Sequence, residues 1–440
     1  MRYLPHSAAD RHRMLETVGV SSVDELFADI PSLVSESFEP LDLAPRSEQE
    51  VVSVLTDLAD RNTAPGKLCF AGGGIYDHYI PSLVHHVLSR SEFYTAYTPY
   101  QPEVSQGTLT AMFEFQTLLC ELTGMDVANA SLYDGATAAA EAVLMAERLR
   151  SRAKVAVARS LFANVRRVVE TYCWASGIEV VDLPYLPSGQ CDLSDVPSDV
   201  SAVVLQSPNA FGVIEAVSGV KDRIGDALLI VSIHPISLGV LAPPGESGAD
   251  IVVGEGQPLG LPMSFGGPLL GLFATKREYL RQMPGRVSGR TVDADGNSGF
   301  TMAAQTREQH IRRERATSNI CTNSALCALA ATVYLATVGA DGLRRVAELN
   351  AEKAHYLADR IVELDGFELA FPGPFFNEFV VRVPGEASDL HRELLDAGFL
   401  VEPPDILHGC GLGDALRIAV TEKRTQGDLD RFVEALGGSR

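Results

Sequence analysis

Short apolar segments alternate with helical patterns through the middle of the chain, and this alternation constrains the fold more than any other feature. The apolar runs are rich in β-branched residues and are bounded by turn residues; they cover residues 154–157, 178–182, 202–205, 228–233, 250–253 and 269–274. Between two of them, Val165, Val168 and Val169 fall on one stripe of a predicted helix. Strands that alternate with helices form a mostly parallel sheet with both faces buried. The sequence therefore predicts a doubly wound α/β fold.

Further patterns on either side of this region divide the chain into three parts. A predicted helix over residues 104–123 is closed by Gly124, and another begins after Asp134 and Gly135. Beyond residue 340, apolar runs at 377–383 and 416–421 alternate with helical patterns at 388–397 and 426–436. We expect an N-terminal helical segment (1–70), a large α/β domain (71–340) and a small C-terminal α+β domain (341–440). This layout is typical of fold-type I pyridoxal-phosphate enzymes, although a layout alone does not establish a function.

The composition narrows the class of protein. The chain has 440 residues, of which 46% are hydrophobic and 21% charged, and its net charge is −21. Binding to nucleic acid or to an anionic membrane requires a basic surface, so this acidic chain is expected to bind neither. The longest apolar run, 325–340, contains Thr332 and Thr337 and is shorter than the roughly 20 residues of a membrane span. We expect it to form a core helix.

The N-terminus and the cysteines favour a cytoplasmic location. Residues 1–10 contain no apolar stretch behind a basic start, so we expect no signal peptide. The seven cysteines are scattered and include no C-x-x-C pair. This distribution indicates reduced thiols rather than a disulfide framework or a zinc site. We predict no metal site.

The loop after a late strand lacks the residue that pyridoxal-phosphate chemistry requires. In fold-type I enzymes a lysine on this loop forms the Schiff base, and an acid holds the pyridine nitrogen protonated. Here Gln257 occupies the expected lysine position, and an amide cannot form a Schiff base. His234 occupies the position of the acid, where it is a poor partner for a pyridinium. Lys276 comes after the glycine-rich loop and is more simply interpreted as a solvated lysine at a turn.

Several long and specific stretches resemble the N-terminal half of the glycine decarboxylase P-protein family. They read AGGGIYDHYIP (71–81), RSEFYTAYTPYQPE (90–103), TGMDVANAS (123–131) and TREQHIRRE (306–314), the last followed by ATSNICT (316–322). The similarity extends over essentially the whole chain. In this family the two halves resemble each other, the lysine lies in the C-terminal half, and some organisms make the halves as separate subunits.

The resemblance implies a lysine-free subunit 1 that pairs with a lysine-bearing subunit 2 in a two-plus-two tetramer. Pyridoxal phosphate would be bound covalently in the partner subunit rather than in this chain. The implied activity is that of an aminomethyl-transferring glycine dehydrogenase, which decarboxylates glycine, releases CO2 and passes the aminomethyl group to the lipoyl arm of the H-protein. The T-protein and the L-protein would complete the system. His234 departs from the acid expected in this family, which puts in doubt any cofactor binding in this chain's own pocket.

A tyrosine-rich segment, residues 94–103, supplies candidate catalytic residues. Tyr97 and Tyr100 are predicted to support catalysis at the partner's site, because a stiff loop with hydroxyls and flat rings could close over an intermediate. His78, after the glycines at 72–74, is a further candidate for assisting proton transfer there. The alternatives are that the tyrosines only bury area at a subunit contact and that His78 is structural.

Two polar segments are candidates for binding phosphate. Thr317, Ser318 and Asn319 follow a basic run and are predicted to contact the phosphate of the partner's pyridoxal phosphate, at the start of a helix expected near Thr322. The alternative is an ordinary helix cap with surface ion pairs. Residues 134–137 lie where fold-type I enzymes bind the phosphate, and without a lysine in the same pocket they are expected only to cap a helix.

Two other functions remain possible from the sequence. One is a self-sufficient pyridoxal-phosphate enzyme of aminotransferase or desulfurase type, with Lys276 forming the Schiff base. The other is a non-catalytic scaffold that kept the fold and lost the chemistry. The lysine-free subunit is the preferred interpretation, because the missing lysine is what a two-subunit P-protein predicts for this half.

Overall fold

The computed structural model describes residues 6–31, 41–408 and 410–438. The chain divides into two units, Met1–Pro65 and Gly66–Arg440. The first unit contains the helices Ala8–Val18 (α1) and Glu48–Ala59 (α2) and a 3-10 turn at Asp24–Phe27. Both helices begin with a serine capping box, in which the serine and an acid three residues later satisfy each other's backbone amides. Neither helix has a buried residue.

The second unit contains the remaining elements. Its strands β1 to β14 are Leu68–Cys69, Val127–Ala128, Lys154–Ala158, Glu179–Leu183, Ala202–Ser207, Leu228–Ile233, Ile251–Glu255, Gly271–Thr275, Val287–Val292, Ser298–Ala303, Glu368–Leu369, Glu378–Arg382, Phe399–Leu400 and Ala415–Ala419. Its helices α3 to α13 are Ser82–Leu88, Ser91–Tyr94, Gln106–Thr123, Gly135–Arg150, Ala163–Ser176, Val220–Ile224, Gln309–Arg312, Ala325–Val362, Ala387–Asp396, Asp405–His408 and Gln426–Gly438. The predicted strands of the central region are present, with bounds that differ by one or two residues.

The central sheet has the strand order β2-β8-β7-β6-β5-β3-β4. Strands β7, β6, β5, β3 and β4 are parallel, and β8 runs antiparallel between β7 and β2. Every residue of β5 and β6 is buried, which is typical of a parallel sheet covered on both faces. The predicted doubly wound, mostly parallel α/β fold is therefore confirmed. The carboxyl ends of the parallel strands meet at one edge of this sheet, where a ligand site is expected in such folds.

Helix α6 packs closely on the sheet because its first half is made of small residues. Asp134 caps the helix by accepting a hydrogen bond from the Thr137 amide at 2.6 Å, as the sequence predicted. Gly135 follows, and a Cβ at this position would lie 2.8 Å from the backbone nitrogen of Glu255. Only glycine therefore allows the first turn of α6 to touch the end of β7.

A smaller antiparallel sheet, β11-β12-β14, forms the C-terminal part together with α11 and α13. Helix α10 leads into it and is interrupted at Gly339, whose φ of 64° and ψ of −177° are not helical. We propose this break as the division between the predicted domains 71–340 and 341–440. At the other boundary, β1 pairs with β13, so the second unit already includes residues 68–69.

Among the described residues, one helix, α10, is long and apolar enough to cross a membrane by length and composition alone. Its interruption at Gly339 divides the apolar first half from the rest. Ala330, Ala331 and Tyr334 on that half are fully buried in the core, whereas Val333 and Ala336 lie along a surface groove. The predicted core helix therefore has one buried face and one partly exposed apolar face.

A buried charge network joins the small sheet to the segment that begins at Gly72. Arg417 on β14 has its Nε 2.7 Å from Glu378 Oε1 and also pairs with Glu402. Glu378 accepts hydrogen bonds from the Gly73 amide at 3.0 Å and from the Tyr76 hydroxyl at 2.6 Å. Burial raises the pKa of Glu378 to about 7, although the positive charge of Arg417 opposes this rise. The network fixes the position of the glycine segment.

Replacing Arg417 tests how strongly this network supports the fold. Arg417→Leu leaves Glu378 and Glu402 buried without their cation, which costs about 3–5 kcal/mol for a buried pair. We expect a clearly lower midpoint of urea unfolding. Arg382→Leu is the matched control, because Arg382 lies on neighbouring β12 and its partner Asp414 is exposed. Arg382→Leu should lower the free energy of unfolding by less than about 1 kcal/mol. Equal decreases in the two variants would contradict the importance of the buried network.

Candidate functional site

A cavity of about 250 Å³ lies at the carboxyl edge of the central sheet. Its floor comes from the ends of β5, β6 and β7, and its sides come from the first turns of α6 and α7 and from residues 73–76. Most of the side chains around it are apolar, including Ile75, Phe162, Val165, Val168 and Leu269. The cavity therefore lies where fold-type I enzymes hold their cofactor, and the side chains that line it determine what it can bind.

Glu255 occupies the position next to the helix N-terminus in this cavity. Its carboxylate accepts hydrogen bonds of 2.9 Å from the backbone amides of Gly135, Gln257 and Leu270. Burial raises the pKa of Glu255 from its ordinary 4.5 to about 7, although the three backbone hydrogen bonds oppose this rise. The amides that a helix N-terminus offers to a phosphate are thus directed at a carboxylate of the chain itself.

Gln257, at the predicted Schiff-base position, is fully buried and bonded to backbone. Its side-chain oxygen accepts from the Tyr76 amide at 2.9 Å, and its nitrogen donates to the carbonyls of Tyr76 at 3.1 Å and Leu261 at 2.7 Å. The amide therefore holds the Tyr76 backbone from both sides. Its role in this chain is to position the segment after the glycines.

His234, at the predicted acid position, lines the cavity as an uncharged ring. Tyr76 stacks on it with ring centroids 4.5 Å apart. Burial, and then the proximity of His78, lowers the pKa of His234 well below its ordinary value. Its Nδ1 accepts a hydrogen bond from the Ile236 amide at 3.2 Å, so the proton of the neutral ring lies on Nε2. A neutral donor cannot stabilise a protonated pyridine nitrogen.

His78 lies in the interior of this chain beside His234. Its Nδ1 is 2.7 Å from Glu422 Oε2, and its side chain is 2% exposed. Although burial favours the neutral acid, the hydrogen bond to His78 holds the pKa of Glu422 below its ordinary value. The burial of His78 favours the structural alternative that the sequence left open over the role predicted for it at a partner's site.

The predicted tyrosines lie on the surface and away from the cavity. Tyr97 is 77% exposed. Tyr100 is about half exposed, and its hydroxyl accepts a hydrogen bond of 3.0 Å from Arg286. Arg286 also donates to the Thr98 hydroxyl at 2.7 Å and pairs with the buried Glu308. Arg286 therefore anchors the tyrosine loop. This role could not be predicted from the sequence, because a single arginine has no distinctive local pattern.

Thr317 and Ser318 lie close to the same arginine. Both line a small surface cavity together with Arg286 and Glu308, whereas Asn319 is exposed. The predicted helix start near Thr322 is wrong, because α10 begins at Ala325 with Ser324 at the cap position. Residues 317–319 therefore precede the helix by more than a turn and do not offer its first amides. The structure nevertheless brings two of them onto the same face as Tyr100.

Lys276 lies at the opposite edge of the sheet from the cavity. It follows β8, which runs antiparallel to its neighbours, and its amine pairs with Asp250 at the amino end of β7. A five-residue strand is roughly 17 Å long, so this amine cannot reach the ends of β6 and β7. The alternative in which Lys276 forms a Schiff base in this cavity is therefore wrong.

The residues in the cavity do not fit pyridoxal phosphate. The cofactor requires an amine, an acid for its ring nitrogen and free amides for its phosphate. In this chain the amide of Gln257 stands at the lysine position and is bonded to backbone outside the cavity lining. The neutral ring of His234 and the carboxyl group of Glu255 line the cavity in the other two places. The described residues lining it include no lysine or arginine. In the described part of the chain, no cluster of three or more His, Cys, Asp or Glu side chains could hold a metal ion.

The strand order and the position of the cavity define a protein with the fold of the pyridoxal-phosphate-dependent fold-type I enzymes. A solved glutamate decarboxylase from Lactobacillus brevis shares this fold alone, with 14% identity, a TM-score of 0.67 and coverage of 93% of this chain and 96% of that chain. The family model for the glycine cleavage system P-protein matches residues 1–436, and the chain belongs to that family.

Similar proteins agree with this assignment. A protein from Carboxydothermus hydrogenoformans, described as a probable glycine dehydrogenase (decarboxylating) subunit 1, is 50% identical over 448 residues and 100% of both chains is covered. The crystal structure of a glycine decarboxylase (P-protein) of the glycine cleavage system in inhibitor-bound form is 42% identical, with a TM-score of 0.92 and full coverage of both chains. The resemblance expected from the sequence motifs is confirmed.

The raised pKa of Glu255 predicts a pH-dependent loss of stability. The folded chain holds a proton on Glu255 up to about pH 7, whereas the unfolded chain releases it near 4.5, so folding stability falls as pH rises through this window. Glu255→Gln cannot ionise. The difference between the melting temperature of this variant and that of the parent should therefore increase from pH 4.5 to 7 and stay constant above pH 7. Glu121→Gln, at an exposed position, is the control, and a gap that does not change with pH would contradict a protonated Glu255.

Proposed function

We propose that this chain is the lysine-free subunit of a heteromeric glycine decarboxylase. It would act with a lysine-bearing subunit 2 that binds pyridoxal phosphate covalently, in the cytoplasm. The pair would decarboxylate glycine, release CO2 and transfer the aminomethyl group to the lipoyl arm of the H-protein, as an aminomethyl-transferring glycine dehydrogenase; the T-protein and the L-protein complete the system. The observation that carries the proposal is the set of residues at the sheet edge: Gln257 stands at the lysine position, and His234 and Glu255 line the cavity where the cofactor would need an acid and free amides.

The surface around Arg286 is the part of this chain that we propose completes the partner's site. Arg286 is 3% exposed and fixes Tyr100 and Thr98. Thr317 and Ser318 line the adjoining small cavity. Pyridoxal phosphate in the partner would supply the electron sink for decarboxylation. This chain would supply the hydroxyls of Thr317 and Ser318 and the amide of Asn319 toward the cofactor phosphate. It would supply the hydroxyls of Tyr97 and Tyr100 toward the substrate side.

An apolar groove next to the tyrosine loop is the proposed contact surface for the lysine-bearing partner. It runs between α3, α5 and α10 and includes Leu83, Phe93, Tyr97, Leu329 and Val333. Leu83 is 47% exposed. Contiguous exposed apolar surface marks an interaction site, and aromatic residues are enriched at protein interfaces. Because Tyr97 lies in the groove itself, a partner seated there would also meet the candidate site residues.

Reconstitution with the lysine-bearing partner tests the proposed activity. Exchange of bicarbonate with the glycine carboxyl group, in the presence of H-protein, should appear only when both chains are mixed. Tyr97→Phe and Thr317→Ala each remove one hydrogen-bonding hydroxyl, worth about 1 kcal/mol, so we expect the exchange rate to fall roughly fivefold. Tyr79→Phe changes an exposed tyrosine outside both the Arg286 surface and the groove and should have little effect. Exchange by the partner alone at the full rate would favour the scaffold alternative.

A charge placed in the apolar groove tests the contact surface. Leu83→Asp puts a carboxylate at the proposed interface, and burying an unpaired charge is costly. The variant should elute as the free chain in size-exclusion chromatography with the partner, where the parent co-elutes. Val292→Asp is the matched control, since Val292 is an exposed apolar residue on β9 outside the groove. If both variants pair normally, the groove is not the contact surface.

A further inference from the structure

The cavity at the carboxyl edge of the sheet keeps enough space for a ring. Its volume of about 250 Å³ exceeds the roughly 150 Å³ of an apolar cavity that binds benzene in an engineered protein. Phe162 forms one wall, and the Arg417 guanidinium lies 5.1 Å from the centre of its ring. Val165 and Val168 continue the apolar wall along α7. A flat, mostly apolar molecule would be in contact on several sides.

The charges around the cavity disfavour a phosphate ester. Glu255 accepts a hydrogen bond from the Gly135 amide at the start of α6, and the Asp134 side chain accepts one from the Thr137 amide. The amides that a phosphate would need are therefore already bonded to side chains of this chain, whether or not Glu255 holds a proton. The described residues that line the cavity contribute no lysine or arginine to compensate for added negative charge. An anion that binds here would be desolvated without a cation to pair with, which is energetically unfavourable.

The polar groups that remain around the cavity are neutral. Ser232 contributes a hydroxyl, Asn164 contributes an amide, and His234 contributes an uncharged imidazole. Such groups suit a ligand that carries hydrogen-bonding atoms but no net charge. We propose that this cavity binds a small uncharged ligand with a flat ring, and that Glu255 is the residue that excludes phosphate esters, including pyridoxal phosphate, from it.

Binding of such a ligand would stabilise the surrounding structure. Gly73, Ile75 and Tyr76 line the cavity, and Gly73 and Tyr76 are also hydrogen-bonded to Glu378 on the small sheet. A molecule in the cavity would therefore contact a segment that links the two sheets. Because a ligand that binds only the folded chain raises its stability, binding will be seen as an increase in melting temperature. This inference concerns the chain alone and does not depend on its pairing with a partner.

A matched pair of probes separates ring binding from phosphate binding. Pyridoxine and pyridoxine 5′-phosphate differ in the phosphate and lack the aldehyde that would react with surface lysines; indole serves as a second uncharged ring. The full chain is titrated by calorimetry and by thermal unfolding. We expect at least one uncharged ring to bind at least tenfold more tightly than pyridoxine 5′-phosphate or inorganic phosphate. If neither ring binds, or if the ester binds as tightly as the rings, the proposal is wrong.

Two substitutions locate the binding in this cavity. Val168→Phe fills the space beside Phe162 and should weaken ring binding at least tenfold, whereas Val292→Phe adds the same bulk at an exposed position and should not. If Val168→Phe fails to fold, Val168→Met provides the smaller filling change. Glu255→Ser frees the Gly135 amide and should increase affinity for inorganic phosphate at least tenfold. Unchanged ring binding in the filled variant, or unchanged phosphate binding in Glu255→Ser, would overturn the assignment.

Discussion

The side-chain amide of Gln257 forms hydrogen bonds with both the N–H and the carbonyl of Tyr76, and this contact connects the central sheet to the small sheet. Through Tyr76 the loop after β7 is connected to Glu378, and through Glu378 to the buried Arg417 of the small sheet. Gly73 has a φ of +74°, a conformation that other residues rarely adopt, and it brings the chain close enough for its amide to bond Glu378. The residue at the predicted lysine position therefore has a structural role in this chain.

The other two positions that a cofactor would need are also taken up by contacts within this chain. The neutral ring of His234 is covered by Tyr76, and the amides at the start of α6 are bonded to Glu255. The side chains of Gln257 and Glu255 are hydrogen-bonded within the chain, whereas the Nε2 atom of His234 is buried without a hydrogen-bond partner among the described residues. The function proposed for this chain therefore depends on a different face, where Arg286 fixes the tyrosine loop beside Thr317.

Several features of the fold and the site were predictable from the sequence because their signals are local. The strands β5 and β6 are continuous apolar runs, since both faces of a parallel sheet are buried. Asp134 is recognisable as a cap because it directly precedes a helical pattern. The missing lysine was visible at Gln257 because glycines on both sides mark the loop. The start of α10 was misplaced, because Thr317 and Ser318 resemble a cap while Ser324 has no distinctive neighbours.

Other features arise only from long-range contacts. Glu255 was missed, although an acid between two glycines at the end of a buried strand is an unusual signal. Its role depends on the Gly135 amide, 120 residues away in sequence. His78 meets Glu422 across 344 residues, which no local pattern shows. Lys276 could be placed only once the direction of β8 was known, and the apolar pattern of β8 does not show that the strand is antiparallel. The sequence by itself determined the α/β class and the family, because apolar periodicity and residue identity are local properties. Only the tertiary structure decided what replaced the cofactor's contacts, because hydrogen-bond partners and buried charges are set by which distant segments the sheet brings together.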